Sequence, residues 1–165
     1  MNPLPLNPEI KIRHHFDALF GTHTFDILMQ DHRNGDFTFQ YSKRTGRIRN
    51  FSIKNRLVAT LRTDGGLALT IFGATELLKD KRFKQNCVIP TEQALEFVRM
   101  GRSLFCKHVV WCGSNVKVGS DVAVIDRTDN VVAVGRALVG NTTMESYRKG
   151  IAVKVREGIK RTSEI

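Results

Sequence analysis

The most informative chemistry in the sequence lies where a predicted helix ends in a glycine and basic residues follow. The segment 92–100 has the apolar spacing of a helix, and Thr91 before it can cap the helix N-terminus. Gly101 stands where helices end in a left-handed residue, and its missing Cβ lets a phosphate or a base approach the backbone closely. Arg102 and Lys107 add charged hydrogen-bond donors. This arrangement predicts a binding junction for a polyanion, although a plain helix cap would need the same glycine.

A second candidate is a basic stretch in the first half of the chain. Seven Lys or Arg residues lie between Lys43 and Arg62, and no acid lies between Ser42 and Thr63. Aromatic residues are sparse there, which favours contacts with phosphates over base stacking. A solvated face is the alternative interpretation. The candidate RNA-binding residues of this stretch are Arg47, Arg49, Arg56 and Arg62.

Other reactive residue types do not form a recognisable catalytic or metal-binding motif. Histidines and acids are frequent in the first third of the chain, but no HExxH or CxxC spacing is present. The cysteines have no neighbouring base in the sequence, and the acids from Asp121 to Asp129 are expected to serve turns. We therefore predict no catalytic residue, no metal and no cofactor. The residues considered are His14, His15, His23, His32, Asp17, Asp26, Asp31, Cys87, Cys106, Cys112, Asp121, Asp126 and Asp129.

Composition narrows the class of protein. The 165 residues carry a formal net charge of +10 at pH 7 and a pI of about 10.0, with 41% hydrophobic residues, as expected for a folded basic protein. No apolar run is long enough to span a membrane, and Met1 to Ile10 shows no secretory signal. Three cysteines are too few for a disulfide framework, so a cytoplasmic location is expected. The charge indicates either a polyanionic partner or a means of solubility.

The elements that must position these residues alternate between short helices and strands in the first half. A strand with Leu57, Ala59 and Leu61 on one apolar face precedes the tight turn 64–66, and the segment from about 21 to 35 is expected to be irregular. The pattern predicts an antiparallel sheet with helices in a small N-terminal α/β domain, residues 1–84. The predicted helices are 11–20 and 74–79, and the predicted strands are 37–41, 47–53, 56–62 and 67–72.

The second half has a denser series of strands. We expect the helix at 92–100 to bury Ala94, Phe97 and Val98, and Thr142 with Glu145 to open a second short helix. Short strands separated by turns predict a closed or partly closed barrel over residues 85–165. The whole chain is thus predicted to be α+β. The predicted strands of this half are 87–89, 104–110, 122–125, 131–138 and 151–156.

This second half resembles the PUA domain, a small RNA-binding pseudo-barrel found in pseudouridine synthases and archaeosine tRNA transglycosylases. The segments that carry the resemblance are 97–109, 134–137 and 149–158. The resemblance implies that a groove between the helix–strand junction and the last strand holds an RNA end. Phe105 has core packing as its alternative. The residues implied are Gly101, Arg102, Ser103, Phe105, Lys107 and His108 on one side, Lys154 and Arg156 on the other, and Lys149 leading into the last strand.

The first half resembles the small α/β domain that precedes the PUA domain in archaeosine transglycosylase and its archaeal relatives. The carriers are Arg44–Arg49, Leu57–Arg62, Asp64–Thr70 and Gly73–Ala74. No segment matches the catalytic barrel of those enzymes. The resemblance therefore implies the RNA-grasping C-terminal part of such an enzyme without its catalytic barrel.

Together these inferences predict a non-catalytic RNA-binding protein. The expected partner is RNA, specifically tRNA at its acceptor stem and 3′ end, and the expected role is an accessory or split subunit that delivers tRNA to a separate catalytic tRNA-modifying subunit. No membrane partner is expected. Two alternatives remain: a protein-interaction module of the translation machinery, and a metal-dependent RNA enzyme that uses the N-terminal histidines and acids.

Overall fold

The computed structural model describes residues 7–160 and places the first half of the chain in three helices and one four-stranded sheet. Residues 1–6, part of the segment in which the sequence predicts no secretory signal, and residues 161–165 lie outside the described residues. The sheet is an antiparallel meander in the order β1-β2-β3-β4. Its elements are α1 (Pro8–Phe20), α2 (Thr24–Asp31), β1 (Phe37–Tyr41), β2 (Ile48–Ile53), β3 (Arg56–Leu61), β4 (Leu67–Leu69) and α3 (Ile71–Leu77).

The second half forms a six-stranded mixed sheet with two helices. Its strand order is β6-β10-β9-β8-β5-β7, with β5 and β8 parallel and the other pairs antiparallel. The two edge strands, β6 and β7, are joined by the single 3-10 turn Cys106–His108, so the sheet curls into a nearly closed barrel. The elements are β5 (Cys87–Pro90), α4 (Glu92–Arg99), β6 (Leu104–Phe105), β7 (Val109–Cys112), β8 (Asp121–Ile125), β9 (Val131–Ala137), α5 (Asn141–Ser146) and β10 (Ile151–Gly158). The predicted α+β fold is confirmed.

The two halves share a hydrophobic core. Phenylalanines of α1, α2 and β2 pack edge to face in the first half, including Phe16 against Phe25 and Phe51. The same cluster of buried residues continues through Phe83 into β5 and β8 of the barrel, where Ile125 is fully buried. A second cluster lies inside the barrel alone, under α4 and α5. The core thus crosses the connection between the two sheets.

Several local predictions were wrong. Residues 24–31 form α2, although the sequence predicts an irregular segment. Ile71 and Phe72, predicted to end a strand, instead begin α3, ahead of the predicted helix start at residue 74. On β3 a bulge between the pairs Phe51–Ala59 and Ser52–Leu57 buries both Val58 and Ala59 and leaves Leu57 exposed.

The helices of the barrel differ from their predictions in two details. In α4 the buried positions are Ala94, Leu95 and Val98, and Phe97 faces outward. α5 begins after Gly140 without any side-chain cap, so the predicted capping box of Thr142 and Glu145 does not form. Neither difference moves the elements around Gly101. No helix among residues 7–160 is both long enough and apolar enough to cross a membrane.

Candidate nucleic-acid interface

The junction after α4 has the geometry that the sequence predicts. The Thr91 hydroxyl accepts a hydrogen bond from the Ala94 N–H and caps the start of the helix. At the other end Gly101 has φ +94°, and its N–H donates to the Val98 carbonyl at 3.0 Å. The Arg102 N–H donates to the Phe97 carbonyl, also at 3.0 Å, which completes a Schellman cap. Any residue with a Cβ would be strained at Gly101.

The last strand ends directly against this junction. A Cβ on Gly158 of β10 would lie 2.3 Å from the Arg99 carbonyl oxygen and 2.6 Å from the Gly101 nitrogen. Further along β10, Ile151 pairs with Phe105 of β6. The backbones of the helix end and the final strand are therefore in close contact, which holds the junction in a fixed position.

Three aromatic side chains are exposed in the segments that form this surface. Phe105 is 46% exposed, so the alternative of core packing is wrong. Phe97, expected in the core, is 52% exposed, and the Arg102 guanidinium carbon lies 5.6 Å from its ring centroid. Tyr147, in the loop before β10, is 61% exposed. Exposed rings beside cationic groups can stack on unpaired bases.

Basic side chains lie in the same segments as these rings. Arg102 and Lys107 are exposed, and His108 and Ser103 are half-buried beside them. The Cys106 N–H donates to the Gly150 carbonyl at 3.0 Å, which places the exposed Lys149 next to the turn that carries Lys107. The structure therefore brings most of the predicted residues of the second half to one surface. We call this surface the junction surface; it consists of Phe97, Gly101, Arg102, Ser103, Phe105, Lys107, His108, Tyr147 and Lys149.

Arg156, expected to flank the groove, has a different environment. Its guanidinium donates to both carboxylate oxygens of Asp121, at 2.9 and 3.2 Å, and to the Leu69 carbonyl at 2.6 Å. Asp121 also accepts the Leu69 N–H at 2.7 Å, so the pair joins β10 and β8 of the barrel to β4 of the first sheet. Burial raises the pKa of Asp121, against the opposing effect of Arg156. Lys154 is exposed and lies opposite Arg136 on β9.

The four candidate basic residues of the first half lie at two different ends of the first sheet. Arg47 and Arg49 lie at the end of the sheet where β1 leads into β2, and Arg62 follows β3 at the same end. Arg56 lies at the opposite end, where its guanidinium carbon stands 3.9 Å from the Phe72 ring centroid. Because β3 separates Arg56 from Arg62 by about 20 Å of extended chain, a single phosphate cannot contact both.

The histidines and acids of the first third are also separated by the fold. His23 lies 3.1 Å from Asp26, and His32 lies 3.1 Å from Glu76 of α3. Among residues 7–160 no group of three or more His, Cys, Asp or Glu side chains could hold a metal ion. The three cysteines are buried, and burial raises the pKa of the Cys112 thiol to about 11, which keeps it protonated at neutral pH.

Sequence reasoning missed Phe97, Tyr147 and Arg136 as surface residues near the candidate sites. Phe97 lies at the edge of the apolar face of α4. Its residue type does not distinguish it from the buried residues of that face. Tyr147 follows α5 in a segment whose only signal was its neighbouring basic residues. Arg136 lies within an apolar strand, and its outward direction follows from the alternation along β9.

Comparison with known proteins agrees with this architecture. The PUA domain family matches residues 88–159, and the family of the patch-forming domain C2 of tRNA-guanine transglycosylase matches residues 11–82. The tRNA-guanine(15) transglycosylase of Thermoplasma acidophilum is 35% identical over 90% of this chain, and that of Methanothermobacter thermautotrophicus is 31% identical over 90%. The chain covers 23% and 22% of these relatives, so it spans less than a quarter of their length.

Solved structures show the same fold at lower sequence identity. A hypothetical protein of Pyrococcus horikoshii OT3 aligns with a TM-score of 0.69 and 18% identity over 95% of this chain and 93% of its own. A PUA domain from Aeropyrum pernix K1, solved as a tartrate complex, aligns with a TM-score of 0.65 and 16% identity over 96% of this chain and 85% of its own. The chain therefore contains a patch-forming domain C2 of the tRNA-guanine transglycosylase type over residues 11–82 and a PUA domain over residues 88–159.

Proposed function

We propose that this protein binds tRNA through the junction surface and that the single-stranded 3′ end beside the acceptor stem is the part it holds. The observation that carries the proposal is the set of exposed aromatic rings, Phe97, Phe105 and Tyr147, among exposed basic residues. Isolated exposed rings are ordinary on protein surfaces, but rings interleaved with cations are suited to unpaired bases and their phosphates. The relatives named tRNA-guanine(15) transglycosylase support tRNA as the RNA class.

The proposed role is that of an accessory RNA-binding subunit of tRNA modification, acting with a separate catalytic subunit. The matches to the PUA domain over residues 88–159 and to the patch-forming domain C2 over residues 11–82 support a binding role. The close backbone contact of Gly158 with the Gly101 junction supports it too, because a rigid binding surface loses little entropy when RNA binds.

The test is a fluorescence anisotropy titration of a tRNA transcript with the full chain at fixed salt. Phe105→Ala removes one stacking ring, so we expect the affinity to fall by about 5- to 150-fold, equivalent to about 1–3 kcal/mol per stacked base. Arg102→Ala should weaken binding and also reduce the dependence of affinity on salt. Val110→Ala, which removes another exposed apolar side chain from β7, is the matched control and should bind like the native protein.

A transcript without its single-stranded 3′ end separates stacking from duplex binding. On that RNA, Phe105→Ala and the native protein should bind with equal affinity, since the base that the ring contacts is gone. If Phe105→Ala and Arg102→Ala both bind the complete transcript as tightly as the native protein does, the junction surface is not the RNA site.

A further inference from the structure

A cleft of about 280 Å³ lies between the two halves of the molecule, and its lining shares no residue with the junction surface. From the first half it is lined by Arg62 and residues 64–67 of the β3–β4 turn, and by Leu19 and Phe20 of α1. The segment Val118–Asp121 and Arg136 line it from the barrel. Its volume is at the lower limit of small-molecule pockets, which is enough for one compact polar group.

Two arginines, one from each half, face each other across this cleft. Arg62 packs against the turn so closely that a Cβ on Gly66 would lie 2.4 Å from its Nη2 atom. Its side chain is 24% exposed, and within residues 7–160 its buried Nε donates no hydrogen bond. Arg136 is half-exposed and passes beside Gly119, where a Cβ would lie 3.4 Å from its Nη2 atom. Both guanidinium groups are therefore held at the cleft, and Arg62 has a donor without an acceptor among residues 7–160.

The carboxylate between the two arginines pairs with them only loosely. Asp64 Oδ1 lies 3.5 Å from Arg62 Nε, and Oδ2 lies 3.8 Å from Arg136 Nη2. A charged N–H···O hydrogen bond is about 2.7–2.9 Å long, so neither contact is one. Asp64 Oδ1 instead accepts the Gly66 N–H at 2.9 Å. That hydrogen bond and the two guanidinium groups hold the pKa of Asp64 below 3.8, so a single negative charge stands between two positive ones.

The surroundings leave the cleft with excess positive charge. The other carboxylate of its lining, Asp121, is already paired with Arg156. Lys154 is exposed and lies directly opposite Arg136 on the neighbouring strand, which adds a further cation. An anion that replaced Asp64 could accept hydrogen bonds from the guanidinium groups of Arg62 and Arg136, with which Asp64 forms none.

We propose that this cleft is a second anion site, which binds one phosphodiester group of an RNA backbone between Arg62 and Arg136 while Asp64 moves aside. The inference rests on the proposed function, because it takes tRNA as the source of the phosphate. Free inorganic phosphate has the same chemistry and is the alternative source. A phosphate held by one arginine from each half would fix the RNA relative to both sheets, so the cleft would set the register of an RNA whose end lies at the junction surface.

The experiment measures affinity for the tRNA transcript with the full chain carrying Arg62→Gln, Arg136→Gln, both changes, or Asp64→Asn. Each arginine variant should bind about tenfold more weakly, because it loses one charged hydrogen bond to the phosphate. The loss in the double variant should differ from the sum of the two single losses, because both side chains contact the same phosphate. Asp64→Asn should bind severalfold more tightly. Lys11→Gln, an exposed charge removal on α1, is the matched control and should change affinity less than twofold.

The outcomes separate this inference from the proposed function. If the arginine variants bind like Lys11→Gln while Phe105→Ala still weakens binding, the cleft is not a phosphate site and the junction surface remains one. If the native protein does not bind the transcript, the proposed function fails and the cleft inference fails with it. Binding of inorganic phosphate, followed by NMR of the Arg62 Nε–H, without any effect of the variants on tRNA affinity would overturn the RNA assignment. Should an arginine variant not fold, Asp64→Asn still tests the site: affinity that is unchanged or lower refutes it.

Discussion

At the scale of single residues, Arg156 and Lys154 show how one strand can carry two different functions. They lie two positions apart on β10, and the sequence assigns both to the RNA groove. In the structure the Arg156 guanidinium joins Asp121 and Leu69 across the two sheets, whereas Lys154 is exposed. Arg156 is therefore a structural residue of the connection between the halves, and Lys154 remains available to an anion.

Substitution of these two residues should affect stability in different ways. Arg156→Ala leaves the Asp121 carboxylate, which is 2% exposed, without its ionic partner. We expect the free energy of unfolding to fall by about 2–3 kcal/mol. Breaking a fully buried ion pair costs about 3–5 kcal/mol, and the loss is smaller here because Arg156 itself is 37% exposed. Lys154→Ala should change it by about 0.5 kcal/mol or less. Urea unfolding measures both, and equal effects of the two variants would contradict the assignment.

The sequence could not show the role of Asp121. Asp121, Asp126 and Asp129 cluster around a predicted hairpin, and turn chemistry is the usual function of such acids. Asp126 and Asp129 do lie in the turn, but Asp121 is the first residue of β8 and is buried against Leu69 and Arg156. Its partners are distant in the sequence, and only the packing of the two sheets brings them together.

At the scale of elements, the β8–β9 hairpin depends on one carboxylate. Asp126 Oδ1 accepts the backbone N–H groups of Thr128 and Asn130 at 2.9 Å, and also the Thr128 hydroxyl. Burial favours the neutral acid, but these hydrogen bonds outweigh it and hold the pKa of Asp126 below 3.8. The folded state thus binds the proton of Asp126 less tightly than the unfolded chain does.

The stabilisation by Asp126 should therefore depend on pH. A lowered pKa in the folded state gives a stabilising contribution that is present above the unfolded value and is lost as pH falls through the folded value. We expect Asp126→Asn to be less stable than the native protein at pH 6, and the difference to shrink as pH falls from about 4 towards 2. Thermal unfolding of both proteins across this range measures it. A difference that stays constant with pH would show that the carboxylate charge does not contribute.

Elements with strong local signals were predictable, and those formed by tertiary packing were not. Thr91 and Gly101 mark the ends of α4, and both predictions are confirmed. α2 has no such signal: its N-cap, His23, makes no capping hydrogen bond and has φ +67°. The helix forms because Phe25 and Leu28 are fully buried against the first sheet, and a single sequence does not reveal that surface.

At the scale of the whole molecule, the net charge of +10 is divided between the halves as +6 for residues 1–84 and +4 for residues 85–165. From the sequence alone, this charge indicates either that the protein binds a polyanion or that the charge keeps the protein soluble. The structure places exposed cations beside exposed rings at the junction surface and places Arg62 opposite Arg136 in the cleft. Charge on facing parts of two sheets is a property of tertiary structure, so composition alone could not locate it.

The continuity of the core predicts that the molecule unfolds as one unit. The sequence places a domain boundary near Lys84, and that boundary stays a prediction. Phe83 on one side of it and Cys87 on the other are both fully or nearly fully buried in a single cluster, which also includes Phe20 and Ile125. Unfolding either sheet alone would expose apolar surface of the other sheet to water, at a free-energy cost of about 25 cal/mol per Å².

We therefore expect a single cooperative transition in urea. Trp111, the one tryptophan of the chain, packs against the shared cluster from β7 and reports on the barrel through its fluorescence. Far-UV circular dichroism reports on both halves, including the helices α1 and α2. The two curves should coincide, with equal midpoints and slopes, because the shared core cannot be lost from one half alone. A circular dichroism change that precedes the Trp111 transition would show instead that the first sheet and its helices unfold independently.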